Sequence, residues 1–406
     1  MPDRSAVVIG GGISGVLTAR ELLRDAWAVT LLEGTHVGAG SSSRTAAGIR
    51  QQFSTTGTVR GMRYAVQYYK AFAADVEDGS APIVQNGYLF LYDDEAAWAD
   101  AQRRVTMQQR AGLTEVAALS ADAVAARFPW VDRGAVIGGT HCPSDGFLRP
   151  HLIYNEGARR VRELGGTVVQ NAPVTGSSTA GGRLTAVRTP KGDFSADLFL
   201  DCTNAWSPRL APLLGAAPLP IAPRKRYLWF LARDGMPPET LAAMPLTITP
   251  QGTYCRPENP ETLMMGRKHE TTPDAAFSYD DQDQIAPAYS HTGGIDAVPF
   301  GLWAELAEVL PPLGAFGGFN ATTSGYYAET PDHNPFLAFD PARPNLIRLV
   351  GFSGHGAMLG PFTAAAARAL ADAGSDVPSL RLDGYDIPMD AFAIGRAFDA
   401  REQMVI

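Results

Sequence analysis

The sequence predicts an α/β fold interrupted by a β-rich insertion, and three observations carry that prediction. The apolar run Ala6-Val7-Val8-Ile9 breaks at Gly10-Gly11-Gly12, and a helical spacing and a second apolar run follow within residues 5–32. The middle of the chain is dense in strand-like runs punctuated by proline. The last part, with a long Ala-rich stretch over residues 357–373, returns to α/β character, so the first unit is interrupted and later resumed.

Residues 5–10 have the continuous apolarity of a parallel strand buried on both faces. Val16, Leu17, Leu22 and Leu23 place a helix between Ser14 and Arg24, and Ala28-Val29-Thr30-Leu31-Leu32 is a second strand, completing a β-α-β unit. The loop 34–48 is rich in Gly, Ser and Ala. Met62, Val66, Tyr69, Phe72 and Val76 then mark one face of an amphipathic helix. A strand is expected from Tyr88 to Tyr92, helices near 94–111 and 120–127, and a strand near 135–141. Pro150 suits the first turn of a helix reaching Leu164. Strands are expected at 166–170, 183–189, 194–201, 226–232, 246–256 and 262–267, then a helix near 301–310 and strands near 317–328 and 346–351.

With 406 residues, 45% hydrophobic and 19% charged, the chain has material for more than one core. The net charge of -8, without any run of five like charges, argues against a nucleic-acid groove. Arg224-Lys225-Arg226 leads into the apolar run Tyr227 to Leu231 and reads as the start of a strand. Cys142, Cys202 and Cys255 stand far apart without ligand spacing, so neither a disulfide framework nor a metal site is expected. No apolar stretch approaches 18 residues, and Met1-Pro2-Asp3-Arg4 runs straight into the first strand. The expectation is a soluble cytoplasmic protein without a transmembrane segment.

Gly10, Gly12 and Gly15, with Ile13 and Ser14 between them, form a G-x-G-x-x-G turn between a strand and a helix. The first glycine allows the tight turn, the second lets backbone approach a pyrophosphate, and the third lets helix and strand pack closely. Glu33 closes the second strand about twenty residues on, where an acidic side chain accepts from ribose hydroxyls. The motif makes this a Rossmann-like dinucleotide site but does not separate FAD from NAD. No G-x-S-x-G, H-E-x-x-H or Walker pattern competes with it.

Four further stretches carry a family resemblance: Gly38-Ala39-Gly40-Ser41-Ser42-Ser43-Arg44-Thr45-Ala46-Ala47-Gly48-Ile49-Arg50-Gln51-Gln52-Phe53, Asp145-Gly146-Phe147-Leu148-Arg149-Pro150, Asp201-Cys202-Thr203-Asn204-Ala205-Trp206-Ser207, and Thr330-Pro331-Asp332-His333-Asn334-Pro335 followed by Val350-Gly351-Phe352-Ser353-Gly354-His355-Gly356. In this order they resemble landmarks of the D-amino-acid oxidase superfamily, on its sarcosine oxidase and dimethylglycine dehydrogenase side. The resemblance implies an FAD-binding domain assembled from residues 1–85, 145–215 and 325–406. It also implies a substrate domain of antiparallel β-sheet and helices from residues 86–144 and 216–324.

It further implies FAD contacts at Gly10, Gly12, Ile13, Ser14, Gly15 and Glu33, along Gly40, Ser41, Ser42, Ser43, Arg44, Thr45, Ala46 and Ala47, and at Val174, Trp206, Gly325, Gly354, His355, Gly356 and Met358. The Gly354-His355-Gly356 turn opens the Ala-rich helix, whose first amides favour negative charge, such as that of reduced flavin at N1 and O2. His355 is read either as a flavin contact or as a turn histidine bonded to backbone. Relatives that tether the flavin use a cysteine where Gly325 stands or a histidine where Thr45 stands, so FAD is expected to be non-covalent.

Arg50 matches the arginine that grips a substrate carboxylate, a task suited to a planar fork, while Met358 replaces its partner lysine. Tyr254, Lys268, His269 and Tyr327 match positions lining the substrate cavity. Met264 occupies the place of a lysine that promotes reaction with oxygen, which favours an acceptor protein or quinone instead. The expected reaction is oxidation of a secondary amine or amino acid (sarcosine or another N-methyl amino acid, proline, or a D- or L-amino acid), a hydride leaving the carbon beside nitrogen for flavin N5 and the imine then hydrolysing. Two alternatives stand beside it: oxidation of a 2-hydroxy acid, and a flavin-holding subunit or assembly factor without its own turnover.

Overall fold

The computed structural model describes residues 4–267, 278–399 and 401–404. The Ala6–Ile9 run lies at the centre of a six-stranded sheet because both its faces are apolar and both are covered. The strand order is Phe336–Asp340, Arg343–Val350, Leu198–Asp201, β1 (Ser5–Ile9), β2 (Ala28–Leu32) and Thr167–Val169. All neighbours are parallel except the first pair, which is antiparallel. The helix α1 (Ile13–Arg24) packs between the helices Pro150–Glu163 and Gly356–Ala373. Val8, Val16, Leu17, Leu31, Leu200, Ile347, Leu359 and Phe362 share the core between helices and sheet.

An eight-stranded sheet forms the second layer system, in the order Phe319–Glu329, Ala222–Ala232, Thr262–Arg267, Thr253–Asn259, Leu246–Ile248, Tyr88–Tyr92, Gly138–Cys142 and Ala117–Ser120. Its neighbours are antiparallel except Leu246–Ile248 beside Tyr88–Tyr92. Along Thr262–Arg267 the pleat sends Leu263 and Met265 into a core under the helix Val298–Val309, and Met264 to the other face with Tyr88, Leu246 and Tyr254. That second face looks toward the dinucleotide half. The strand Phe319–Glu329 runs unbroken through the expected division at 324/325, so one strand carries residues of both halves.

Two expected strands are each two. The run 194–201 divides into Gly192–Ser195, in a separate three-stranded sheet, and Leu198–Asp201 in the parallel sheet. Asp197 makes the break: its carboxylate accepts from Ser5 N at 2.8 Å and from Ser5 Oγ at 2.6 Å. The run 246–256 is interrupted by a turn in which Gly252, at φ +89°, donates to Thr249 O at 2.9 Å. The strands Gly176–Ala180 and Phe336–Asp340 and the hairpin Ser379–Pro388 carry too little periodicity to be anticipated.

Candidate active site

The turn after β1 shows why its glycines are required. A Cβ on Gly15 would lie 1.8 Å from the Gly10 carbonyl oxygen, so only glycine lets α1 pack onto the end of β1. The second loop is stitched onto this turn and onto the β-rich sheet: Ile13 N donates to Ser42 Oγ at 3.0 Å, and Ser41 Oγ donates to Tyr326 O at 2.6 Å. Glu33 closes β2 with one carboxylate oxygen accepting from Gly11 N at 2.7 Å and the other from Thr35 N at 2.9 Å. The family landmarks hold the remaining wall. Asn204 Oδ1 accepts from Gly351 N and Phe352 N at 3.1 and 3.2 Å, and buried Asp201 accepts from Arg348 Nε at 3.0 Å and Ser207 Oγ at 2.7 Å.

These elements enclose a cavity of about 1120 Å³ lined by Gly10, Gly12, Ile13, Ser14, Glu33, Gly40, Ser41, Ser42, Arg44, Thr45, Val174, Trp206, Gly325, Gly354 and Gly356. Of the other expected cofactor residues, Gly15 lies inside the strand–helix contact, and Ser43 Oγ donates to Gly40 O at 3.3 Å. Ala46, Ala47, His355 and Met358 line a second, smaller space of about 30 Å³, which adjoins the first through Thr45, Tyr327 and Gly354.

The smaller space is where the two halves meet. Arg50, Tyr88, Tyr254, Tyr327 and His355 converge on it from the second loop, three strands of the β-rich sheet and the cap of the helix Gly356–Ala373. Arg50 is 1% exposed. Its guanidinium donates to Gln52 O at 3.0 Å and to Met404 O, and contacts His355 Nε2 at 3.2 Å, while its Nε has no hydrogen-bond partner. His355 therefore engages a side chain, not backbone alone. Burial raises Tyr254 well above the usual phenol range and raises Tyr327 as well, and the two hydroxyls interact. Burial raises Tyr88 likewise, with Arg50 opposing it. Lys268 and His269 lie outside the described residues. Sequence reasoning missed Tyr88: its strand was legible, but the pairing that sets it beside Tyr254 and Tyr327 was not.

Asp145, fully buried, organises the loop after Arg50 by accepting from Gln51 N at 2.8 Å, Gln51 Nε2 at 3.0 Å and Gln52 Nε2 at 3.2 Å. Burial raises its carboxyl from 3.8 to about 6, against these bonds. Because the folded value exceeds the unfolded one, protonated Asp145 stabilises the fold fully below the unfolded value, and that contribution is lost as pH rises through about 6. It is on the order of 3 kcal/mol. Between pH 4 and 7 the thermal midpoint of the wild type should therefore fall relative to that of Asp145→Asn, and parallel profiles would remove Asp145 as the titrating group.

A glycine turn at a helix N-terminus, a carboxylate closing the second strand and an elongated cavity between them define a dinucleotide-binding fold of the Rossmann type. The chain belongs to the FAD dependent oxidoreductase family (DAO), whose model matches residues 5–372. The FAD-dependent oxidoreductase domain-containing protein 1 homolog of Drosophila melanogaster is 24% identical over 385 residues, 86% of this chain and 72% of that protein. The mitochondrial sarcosine dehydrogenase of Mus musculus is 22% identical over 369 residues, 88% of this chain but 38% of that protein. The crystal structure of L-proline dehydrogenase from P. horikoshii superposes with a TM-score of 0.83 at 25% identity, covering 97% of both chains. The cofactor of this family is FAD, and the large cavity fits it: a Cβ on Gly12 would stand 3.0 Å from Ser42 Oγ and fill the cradle at the start of α1. Among the described residues no helix is long and apolar enough to cross a membrane.

Proposed function

We propose that this protein oxidises a small amine or amino acid that carries a carboxylate, and that Arg50 anchors that carboxylate. The observation that carries the reading is the buried Arg50 guanidinium on the smaller cavity, with Nε unpaired. A buried donor without a partner is costly, and an anionic ligand would satisfy it. FAD, when bound, supplies the two-electron chemistry, and the residues named here supply binding, orientation and electrostatics. Gly10, Gly12, Ser42 and Glu33 would hold it, without a covalent link, since neither Gly325 nor Thr45 can form the thioether or imidazole link at those positions.

The chemistry of the cavity wall narrows the substrate. Tyr88, Tyr254 and Tyr327 stay protonated at neutral pH and act only as hydrogen-bond donors or acceptors. No carboxylate stands among the described residues lining the smaller cavity, and His355 Nε2 is engaged with Arg50. A substrate nitrogen therefore binds best unprotonated, its lone pair free. A 2-hydroxy acid would instead need a base for its hydroxyl proton, which among the described residues lining the smaller cavity only His355 offers, at the cost of its Arg50 contact. An anaerobic flavin-bleaching screen with matched amino and hydroxy acids tests the reading. Bleaching by the amines supports it, bleaching by hydroxy acids alone overturns it, and no bleaching alongside a co-purifying partner favours a flavin-holding subunit.

Met264 is fully buried on the cavity-facing side of the β-rich sheet, where a cation would favour charge transfer to oxygen. An acceptor protein or quinone is therefore the proposed electron acceptor. Met264→Lys should raise the steady-state rate with oxygen at least about tenfold. Wild-type turnover faster with oxygen than with a quinone would overturn the assignment. A cytoplasmic location fits three free, buried cysteines.

A further inference from the structure

One segment lines the FAD cavity without belonging to any motif. Tyr279, Asp280, Gln282 and Asp283 are on its wall, yet the Asp280 and Asp283 side chains are 85% and 80% exposed, which places the segment at the cavity mouth, between cofactor space and solvent. The backbone of this strap is held from the β-rich sheet. Lys225 Nζ donates to Asp281 O at 2.6 Å and to Gln284 O, Ser324 Oγ donates to Gln282 O, and Tyr326 Oη donates to Ser278 O at 2.7 Å. Lys225 is nearly buried, its side chain 7% exposed. The side chains of the strap reach the opposite wall. Asp283 accepts from Arg44 at 2.6 and 3.2 Å, Gln282 Nε2 donates to Ala39 O at 3.1 Å, Asp280 pairs with Arg209 at 3.4 Å, and the Tyr279 ring packs on Trp206 at 6.4 Å. All four partners lie on the dinucleotide half.

The strap therefore has a fixed side and a reversible side. Its fixed side is a set of backbone carbonyls bonded to buried or half-buried side chains of two adjacent strands. Its reversible side is made of exposed ion pairs, an amide bond and the contacts of the Tyr279 ring with Trp206 and Arg209, each weak alone and the ion pairs screened by salt. A Cβ on Gly325 would meet Arg44 O at 2.8 Å, so the position where a cysteine would tether the flavin is closed by the residue the strap grips.

We propose that residues 278–284 are a latch that closes over bound FAD and slows its passage in and out, a kinetic substitute for a covalent tether, with Asp280 and Asp283 as its retaining residues. A latch differs from an ordinary binding contact in one measurable way: opening it speeds release and uptake together, so the equilibrium affinity changes less than either rate.

The test uses the FAD-loaded protein. Release is read as recovery of FAD fluorescence after dilution, uptake as its quenching on remixing with apoprotein, and fold integrity as the thermal midpoint of the apoprotein. In wild type, raising sodium chloride from low to high concentration should speed release about threefold, and Asp280→Asn/Asp283→Asn should speed it about fivefold at low salt and abolish most of the salt effect. Lys225→Met, which frees the fixed side, should speed release and uptake about tenfold. Release rates unchanged in both variants would overturn the proposal. So would faster release with slower uptake and a lowered apoprotein midpoint, the pattern of a merely damaged fold.

Discussion

Gly15→Ala is expected to leave a folded protein that cannot hold its cofactor. The added methyl carbon would sit 1.8 Å from the Gly10 carbonyl oxygen, and backbone, not a flexible side chain, stands in its way. Either α1 slides away from the end of β1 or the glycine turn opens. Each outcome moves the amides that face the pyrophosphate, while the cores on both sides of the sheet stay filled. Overpacking of this kind costs about 1–3 kcal/mol and sometimes more, so FAD affinity should fall on the order of a hundredfold. The check is the ratio of flavin to protein absorbance after dialysis, beside far-ultraviolet circular dichroism to establish that the chain is folded. Full flavin content in a folded variant would show that the close approach is dispensable.

Arg50→Lys is expected to raise KM for carboxylated substrates about ten- to a hundredfold, the worth of one to two charge-assisted hydrogen bonds, with FAD content unchanged. A lysine keeps the charge but has no fork, and could not at once satisfy Gln52 O and His355, as the guanidinium does, and a bound carboxylate. Substrate analogues with the carboxylate amidated distinguish an anchor from a structural arginine: their KM should hardly differ between wild type and variant. Loss of flavin, or an equal rise for both compound types, would reassign Arg50 to holding the second loop in place.

The parts of this fold legible in the sequence are those whose signal is local. β1, the glycine turn, α1 and Glu33 form one contiguous unit whose spacing is set by the dinucleotide it must hold, and the helix Gly356–Ala373 announces itself by composition and by the glycine at its C-terminus. What was illegible depends on partners distant in the chain. The break at Asp197 exists because Ser5, 192 positions away, bonds to its carboxylate, and nothing in the run 194–201 records that. The smaller cavity is likewise assembled by strand pairing: Arg50 is legible through the resemblance and the strand of Tyr88 through its apolar run, but the place of Tyr88 in the site is not, and the Ser278–Gln284 strap has neither a motif nor a periodicity to mark it.

The strand order of the parallel sheet sets a timetable for making the protein. β1 leaves the ribosome well before its neighbour on one side, Leu198–Asp201, and before the next strand outward, Arg343–Val350. Until those strands emerge the glycine turn is present without the wall that completes its cavity, and an apolar strand edge waits to be covered. Cofactor capture is thus expected only after the Gly354–Gly356 wall of the cavity has emerged. Chains whose synthesis stalls before Arg343–Val350 would keep that edge open, and the damage would surface as aggregation of newly made protein.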